Sequence, residues 1–229
     1  MRAFAALVTL ACGYWLKLSY SRAGADELSW VLTPSAFIAQ LAGVPLSPEP
    51  GAGFISRSVH MVVGPACAGV NFLLASWLAL YATLQGRFRP TRLLGVSALC
   101  FVAAYLVTIS MNGLRITLAA QLFSLDIYTS VWTKARVHRL LGVVLYSGAL
   151  LGLCLAAQPL RAARGLWTGL CVYLSVSLGI PLLNRAFLRD PAHFAEHAAL
   201  TLGGALCVTL LFLSAHRLCS GSNTSKPAA

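Results

Sequence analysis

Long apolar runs decide what this chain can fold into. Five of them run roughly from Val70 to Leu84, Leu93 to Met111, Leu140 to Ala157, Leu166 to Leu183 and Ala198 to Ala215. A helix that crosses the hydrocarbon layer needs about 20 mainly apolar residues. Charged residues make up 10% of the chain, whereas soluble domains contain about 25%. The sequence therefore predicts an all-α, polytopic membrane protein, with residues 1–229 forming a single helical bundle.

A sixth apolar run lies near the N-terminus, from Ala3 to Leu18. Because residues 23–25 read Ala-Gly-Ala, this run could be a signal peptide with a small-residue cleavage site. Lys17 and Arg22 follow the run, however, and positive charge at that position opposes export. We favour an uncleaved span, which gives about six transmembrane helices.

Charge is divided unevenly between the two sets of loops that six spans create. The long segments, residues 19–66, 112–139 and 184–197, contain all six acidic residues. The short loops and the two ends contain only basic ones: Arg2, Arg87, Arg89, Arg92, Arg161, Arg164, Arg217 and Lys226. Short, purely basic loops are typical of the cytoplasmic side. We therefore expect both termini in the cytoplasm and the long segments outside. Membrane anchoring accounts for the net charge of +11, so no nucleic-acid partner is expected.

The first outer segment contains local structure signals. Residues 29–43 are expected to form a short helix broken near Pro34. The next stretch, "VPLSPEPGAG", is rich in turn residues, and its Pro48-Glu49-Pro50 is interpreted as a turn. The weak alternation in "FISRSVHMVV" predicts a strand or hairpin that leads into Cys67.

The third apolar segment is too long for one span. Apolar character continues from Leu93 to Leu125, which is 33 residues. One helix of that length would measure about 50 Å, whereas the hydrocarbon layer is about 30 Å thick. The sequence therefore predicts a break at Asn112-Gly113, which would leave Arg115 near the outer interface inside an apolar segment.

The seven cysteines show no metal-binding spacing, and no metal or other cofactor is expected. Six of them are interpreted as small buried hydrophobic residues: Cys12, Cys100, Cys154, Cys171, Cys207 and Cys219. Cys67 differs because it stands at the threshold of an apolar run, between Gly64-Pro65 and Gly69.

Three residues with useful chemistry occupy the same end of three consecutive spans. Cys67 begins the second span, Arg115 follows the third, and His138 begins the fourth. An arginine in apolar membrane sequence either reaches for lipid phosphate or faces the protein interior, and a histidine at a span boundary is commonly interfacial. The coincidence of depth favours a shared site. Asn112 lies three residues before Arg115, on the same helical face, and is predicted to hold the guanidinium.

These residue types suit acyl transfer by a cysteine. A neighbouring cation favours the nucleophilic thiolate form of Cys67. His138 can take up a proton and return it to a leaving amine. Arg115 can stabilise the oxyanion of a tetrahedral intermediate. Together they predict a cysteine acyl-transfer site.

Three blocks around these residues resemble the signature blocks of the exosortase and archaeosortase family. They read "ACAGVNFLL", "NGLRITLAA" and "HRLLGVVLY", in that order, and the resemblance covers roughly residues 60–150. It implies that Cys67 is the nucleophile and that Arg115 and His138 are the other catalytic residues. Histidine at the third position is the bacterial exosortase pattern. The chain has fewer spans than many members and in this resembles compact subfamilies such as exosortase K.

The resemblance also implies an activity and a location. Members are proteases or transpeptidases of the bacterial inner membrane that cleave C-terminal sorting signals of exported proteins. Such a signal has a short motif such as Pro-Glu-Pro, a membrane span and a basic tail. The nucleophile would attack at the outer face and form a thioester, which an amine or water would then release. The expected partners are the lipid bilayer and membrane-anchored protein substrates.

Two other functions fit parts of the sequence. A non-catalytic component of a transport or exopolysaccharide export system would bind anionic lipid or sugar phosphate through Arg115 and the other outer basic residues, Arg57, Lys134, Arg136 and Arg139. An intramembrane hydrolase would pair a histidine with the hydroxyl of Ser76, Ser110 or Thr117, although none of these has the context of a nucleophile elbow.

Overall fold

The computed structural model of the chain describes residues 1–125, 127–158, 161–183, 188 and 190–221. Asp126 and Lys226, which entered the charge analysis, lie outside these ranges. Within them, six helical segments are long and apolar enough to cross a membrane. This finding confirms the predicted all-α, polytopic bundle.

The first four spans are single helices. They are α1 (Arg2–Tyr20), α3 (Val70–Leu84), α4 (Leu93–Phe123) and α5 (Lys134–Ala157). The fifth span joins α6 (Ala162–Leu174) to α7 (Ile180–Leu183) through a π-helical turn at Ser175–Gly179. The sixth is α8 (Pro191–Gly221).

A short helix and a small sheet fill the segment between α1 and α3. Helix α2 spans Ser29–Leu41, and the sheet contains β1 (Ser47–Glu49), β2 (Gly53–Ser56) and β3 (Met61–Val63). The strands are antiparallel in the order β1-β2-β3, with Ile55 opposite both Ser47 and Val62. The predicted hairpin before Cys67 is therefore confirmed. We call this side of the bundle the hairpin end.

The interpretation of residues 48–50 as a turn was wrong for Pro48 and Glu49, which belong to β1. The turn occupies residues 50–52 instead. Proline is tolerated in β1 because β1 is an edge strand, where a missing N–H group need not interrupt the ladder.

The predicted break of α2 at Pro34 was also wrong, because the helix continues to Leu41. A proline lacks the N–H group that would donate to the carbonyl four residues earlier, which belongs to Trp30. The hydroxyl of Tyr105 on α4 donates to that carbonyl at 2.7 Å. A side chain from another helix thus satisfies the acceptor that Pro34 leaves open.

The predicted break of α4 at Asn112-Gly113 was wrong as well, because α4 runs unbroken through this point. Its 31 residues correspond to about 46 Å. Gly113 is the place where α2 packs closest: an added Cβ would lie 2.6 Å from Cγ2 of Ile38. The glycine therefore permits close helix packing rather than a bend, and α2 covers the part of α4 that exceeds one membrane span.

The other side of the bundle, which we call the basic end, is held together by side chains that donate to backbone carbonyls. Arg2 donates to the carbonyl oxygens of Gln85 and Phe88 at 3.0 and 3.3 Å. Gln158, at the end of α5, donates to the carbonyl of Thr83 at 2.6 Å. These contacts link the ends of α1, α3 and α5.

The cysteines within the spans are divided between the interior and the surface of the bundle. Cys100 and Cys154 are buried, as predicted. Burial was the wrong expectation for Cys12, Cys171 and Cys207, which are exposed on the helices. A small apolar thiol suits a lipid-facing position as well as a core. The side chain of Cys219 is outside the part of the chain described.

Candidate active site

A tight turn presents Cys67 between β3 and α3. Pro65, Ala66 and Cys67 form one 3-10 turn, in which the Cys67 amide donates to the Gly64 carbonyl at 2.8 Å. Gly69 then caps α3 with a φ of +72°, a left-handed conformation that glycine adopts without strain. The chain therefore turns sharply into the span and leaves Cys67 partly exposed, just before the N-terminus of α3.

His138 lies on the second turn of α5, which begins earlier than the apolar run suggested. The side chain of Thr133 caps this helix by accepting from the backbone amide of Arg136 at 3.3 Å. This hydroxyl satisfies an amide that the helix leaves unpaired. The helix therefore starts at Lys134, although Lys134, Arg136 and Arg139 are charged, and it includes His138.

The three predicted residues lie together. The Sγ atom of Cys67 is 3.7 Å from Nε2 of His138, and Nη2 of Arg115 is 2.6 Å from the same nitrogen. Arg115 is 8% exposed, so its charge is held inside the protein. The expectation that consecutive spans bring these side chains to one place is confirmed.

The contact between Arg115 and His138 defines the protonation of the ring. Guanidinium nitrogens only donate hydrogen bonds, so Nε2 of His138 must accept. The imidazole is then neutral, with its proton on Nδ1. That nitrogen is buried and has no hydrogen-bond partner among the described residues. In this arrangement the lone pair of Nε2 faces two donors, the guanidinium of Arg115 and the thiol of Cys67.

Tyr146 on α5 belongs to the site, although the sequence analysis did not select it. Its hydroxyl accepts from Nη1 of Arg115 at 3.2 Å and donates to Oδ1 of Asn112 at 2.8 Å. Its ring stacks on Phe72 with centroids 4.5 Å apart. A usable signal was present: Tyr146 lies eight residues after His138 and so falls near the same helical face. Tyr146 also carries a hydroxyl group within an apolar run.

Asn112 supports the site differently from the prediction. No hydrogen bond joins it directly to Arg115 in the described residues; it acts through Tyr146. Its amide nitrogen donates to the carbonyl oxygen of Cys67 at 2.7 Å. Asn112 is fully buried and therefore links the turn that carries the thiol to the tyrosine that holds the guanidinium.

Two glycines make room for this network. An added Cβ at Gly142 would lie 3.0 Å from Nε of Arg115, and one at Gly69 would lie 3.2 Å from the hydroxyl of Tyr146. Both distances are shorter than ordinary van der Waals contact. Residues with side chains at these positions would therefore displace the guanidinium or the tyrosine.

A cavity of about 200 Å³ opens beside the cluster. Its walls include Ala66, Phe72, Arg115, Tyr146, Ser177 and His197. The expected shared site reaches this cavity only through Arg115, because Cys67 and His138 are not among its lining residues. The guanidinium of Arg115 contacts both His138 and Tyr146, and Arg115 and Tyr146 line the cavity.

The far wall of the cavity comes from the fifth and sixth spans. Nε2 of His197 on α8 lies 3.2 Å from the carbonyl oxygen of Ser177, which belongs to the π-helical turn. A π-helical turn frees carbonyls from the regular ladder and is frequent at functional sites. Glu196, next to His197, contacts Arg136 at 3.0 Å and Arg139 at 3.5 Å. These contacts fasten α8 to α5 at the rim of the cavity.

The residues that the two alternative functions would use are placed less favourably for those functions. The hydroxyls of Ser110 and Thr117 donate to the carbonyls four residues earlier in their own helix, and that of Ser76 is buried without a partner in the described part of the chain. Arg136 and Arg139 both pair with Glu196. Lys134 lies 5.5 Å from the ring centroids of Phe123 and Tyr128.

Histidine, cysteine and acidic side chains do not gather into a metal-binding group of three or more anywhere in the described ranges. The chemical groups at the site are thus a thiol, an imidazole, a guanidinium, a phenol and an amide. Comparison of the chain with protein-family models, with curated proteins and with solved structures found no match.

Proposed function

We propose that this chain is a membrane-embedded cysteine protease or transpeptidase of the exosortase type, a hydrolase that acts on peptide bonds. The observation that carries the proposal is the shared contact of a thiol and a guanidinium with one imidazole nitrogen, at 3.7 and 2.6 Å. Cysteine acyl transfer uses a nucleophile within reach of a general base. The three residues also stand in the blocks that resemble the exosortase signature.

The first step transfers the thiol proton of Cys67 to Nε2 of His138. The hydrogen bond from Arg115 to that nitrogen must break, because a protonated Nε2 has no lone pair left to accept it. The imidazolium and the guanidinium then repel each other. This repulsion moves the positive charge of Arg115 toward the cavity, which it already lines.

The second step forms a bond between Sγ of Cys67 and the carbonyl carbon of the scissile peptide. The π electrons of the carbonyl move to its oxygen, and Arg115, freed from His138, donates to this oxyanion. A fixed donor in a site with little water stabilises such a charge strongly. While the charge develops, Tyr146 holds Nη1 of Arg115 and Asn112 holds the carbonyl of Cys67. The bond between Tyr146 and Asn112 connects these two contacts.

The third step breaks the peptide C–N bond as His138 returns its proton to the departing amine. A thioester remains on Cys67. An amine or water then attacks the thioester carbonyl and gives its proton to His138, and the sulfur leaves and regains that proton. The product is a new amide in the first case and a free carboxylic acid in the second.

The proposed substrates are membrane-anchored exported proteins that end in a short motif, a membrane span and a basic tail. Two features support this choice. The candidate site lies at the end of the spans, where a peptide leaving the bilayer would reach it. The charge distribution of the loops favours a bacterial inner membrane orientation with both termini in the cytoplasm, which would turn the site outward.

An anion-binding component is the weaker candidate. It would use the basic residues of the hairpin end, but Glu196 lies within 3.5 Å of both Arg136 and Arg139 and offsets part of their charge. Binding through charge also gives no role to the contact between Cys67 and His138.

The test uses an exported reporter that ends in Pro-Glu-Pro, a membrane span and a basic tail. Full-length and trimmed reporter are followed in membranes that contain equal amounts of each variant. We expect Cys67→Ala and His138→Ala to reduce trimming to background, because they remove the nucleophile and the proton carrier. Cys171→Ala, at an exposed cysteine of α6, should trim as wild type does. Trimming by Cys67→Ala at the wild-type rate would refute the cysteine mechanism.

A further inference from the structure

A second recess lies at the basic end of the bundle, away from Cys67. It has a volume of about 700 Å³ and lies between the end of α3, the end of α5 and the start of α6. Its lining includes Thr83, Gln85, Arg87, Gln158, Arg161 and Arg164. We call it the basic recess.

Contacts among three helices fix the shape of the basic recess. Helix α6 packs so closely on α5 that a Cβ at Gly165 would lie 2.7 Å from the carbonyl oxygen of Cys154. The amide of Gln158 bridges to α3 by donating to the carbonyl of Thr83 at 2.6 Å. The recess is therefore a formed feature of the bundle rather than a gap between surface loops.

No acidic side chain among the described residues pairs with the arginines of the basic recess. Arg87, Arg161 and Arg164 make no side-chain hydrogen bond or ion pair with the residues that the structure describes. The sequence has no acidic residue between Glu49 and Asp126 or between Asp126 and Asp190. Three guanidinium groups thus line one concave surface, with no acidic side chain among its lining residues.

The start of α6 indicates which anion fits. Helix α6 begins at Ala162 without a side-chain cap, so its positive N-terminal end adds to the field of Arg161 and Arg164. A phosphate presents several acceptor oxygens at once, so it can contact the guanidinium groups and the helix end together.

We propose that the basic recess binds a phosphate group, the chemistry of an anionic glycerophospholipid headgroup. Arg161 and Arg164 hold the phosphate oxygens beside the start of α6. Trp167 follows Arg164 by three residues on α6 and is 62% exposed. An exposed tryptophan at a span end is typical of the lipid interface, which favours a lipid over a soluble phosphate as the source.

The experiment measures binding of phosphatidylglycerol to the full chain in neutral detergent by native mass spectrometry, with phosphatidylcholine as the zwitterionic comparison. We expect one tightly held phosphatidylglycerol, and the double variant Arg161→Gln/Arg164→Gln should weaken its binding at least about tenfold. The control, Arg89→Gln/Arg92→Gln, removes the same charge from the same end outside the recess and should change binding less than about twofold. Arg161→Lys/Arg164→Lys keeps the charge and serves as a folded comparison should the glutamine variant not insert.

Competition with soluble anions identifies the source of the phosphate. If the lipid is displaced only when sn-glycerol 3-phosphate is in large excess, the result supports the lipid assignment. If sn-glycerol 3-phosphate or inorganic phosphate binds tightly in the absence of lipid, the same site takes a soluble ligand instead. The proposal would be overturned if the two double glutamine variants lost lipid affinity equally, or if phosphatidylcholine bound as tightly as phosphatidylglycerol. Nonspecific attraction to the protein surface would then explain the binding. Lipid binding is measured without the trimming assay, so this experiment tests the basic recess independently of the proposed protease activity.

Discussion

At the residue scale, the candidate site is organised by the hydroxyl of Tyr146. This group accepts from Arg115 and donates to Asn112, and Asn112 in turn holds the carbonyl of Cys67. The turn that carries the Cys67 thiol and the guanidinium of Arg115 are therefore linked by one chain of hydrogen bonds. Because Asn112 and Arg115 are buried, loss of one bond leaves the next group unsatisfied.

Tyr146→Phe tests this chain of hydrogen bonds. The phenyl ring keeps the stacking on Phe72, but Oδ1 of Asn112 and Nη1 of Arg115 lose their partner. We expect the free energy of unfolding to fall by about 1–3 kcal/mol and reporter trimming to slow about tenfold. The matched control is Tyr81→Phe, because the buried hydroxyl of Tyr81 has no partner among the described residues. Thermal unfolding in detergent should separate the two variants, and equal effects would argue against the positioning role.

Arg115→Lys tests the oxyanion role. Lysine keeps the positive charge but has neither the planar shape nor the several donors that join His138 to Tyr146. We expect trimming to fall at least about a hundredfold in membranes where the variant inserts normally. Arg57→Lys, at an exposed position in the turn after β2, should have no effect. Wild-type trimming by Arg115→Lys would mean that charge alone suffices.

At the element scale, hydropathy located the spans but not the features that depend on neighbouring helices. Pro34 and Gly113 both looked like breaks because their local propensities disfavour a continuing helix. Tyr105 satisfies the carbonyl left open by Pro34, and Ile38 occupies the space beside Gly113. Both partners come from another helix, and no sequence window that contains only the proline or only the glycine can reveal them.

Gly113→Ala tests whether this glycine is a packing site. Its added methyl group would meet Ile38 at 2.6 Å, so α2 and α4 must separate. We expect the variant to lose about 1–3 kcal/mol of unfolding free energy. Gly95→Ala is the matched control on the same helix, where an added Cβ has no neighbour within 4 Å. Better helix propensity should make that variant equal to wild type or more stable by up to about 1 kcal/mol; thermal unfolding in detergent compares the two.

At the scale of the whole molecule, equal depth in the membrane was enough to group Cys67, Arg115 and His138. It could not supply the opposite wall of the cavity. Ser177 and His197 come from the last two spans, and their role depends on a π-helical turn and on how α8 packs against α5. Helix packing of this kind leaves no periodic pattern in the sequence. A charged residue within an apolar run, by contrast, can be recognised from the sequence alone.

The orientation of the whole molecule decides which substrates can reach the site, and a pair of matched cysteine variants measures it. Arg57 lies at the hairpin end and Arg89 at the basic end, and both are exposed. In intact cells that express the chain with its seven native cysteines replaced by alanine, a membrane-impermeant maleimide should label Arg57→Cys, whereas Arg89→Cys should react only after the membrane is permeabilised. This outcome is expected because the short loops with only basic residues favour the cytoplasm. A reporter joined after residue 226 should accordingly stay inside. The reverse labelling pattern would turn Cys67 toward the cytoplasm, where a sorting signal that emerges on the outer face could not contact it.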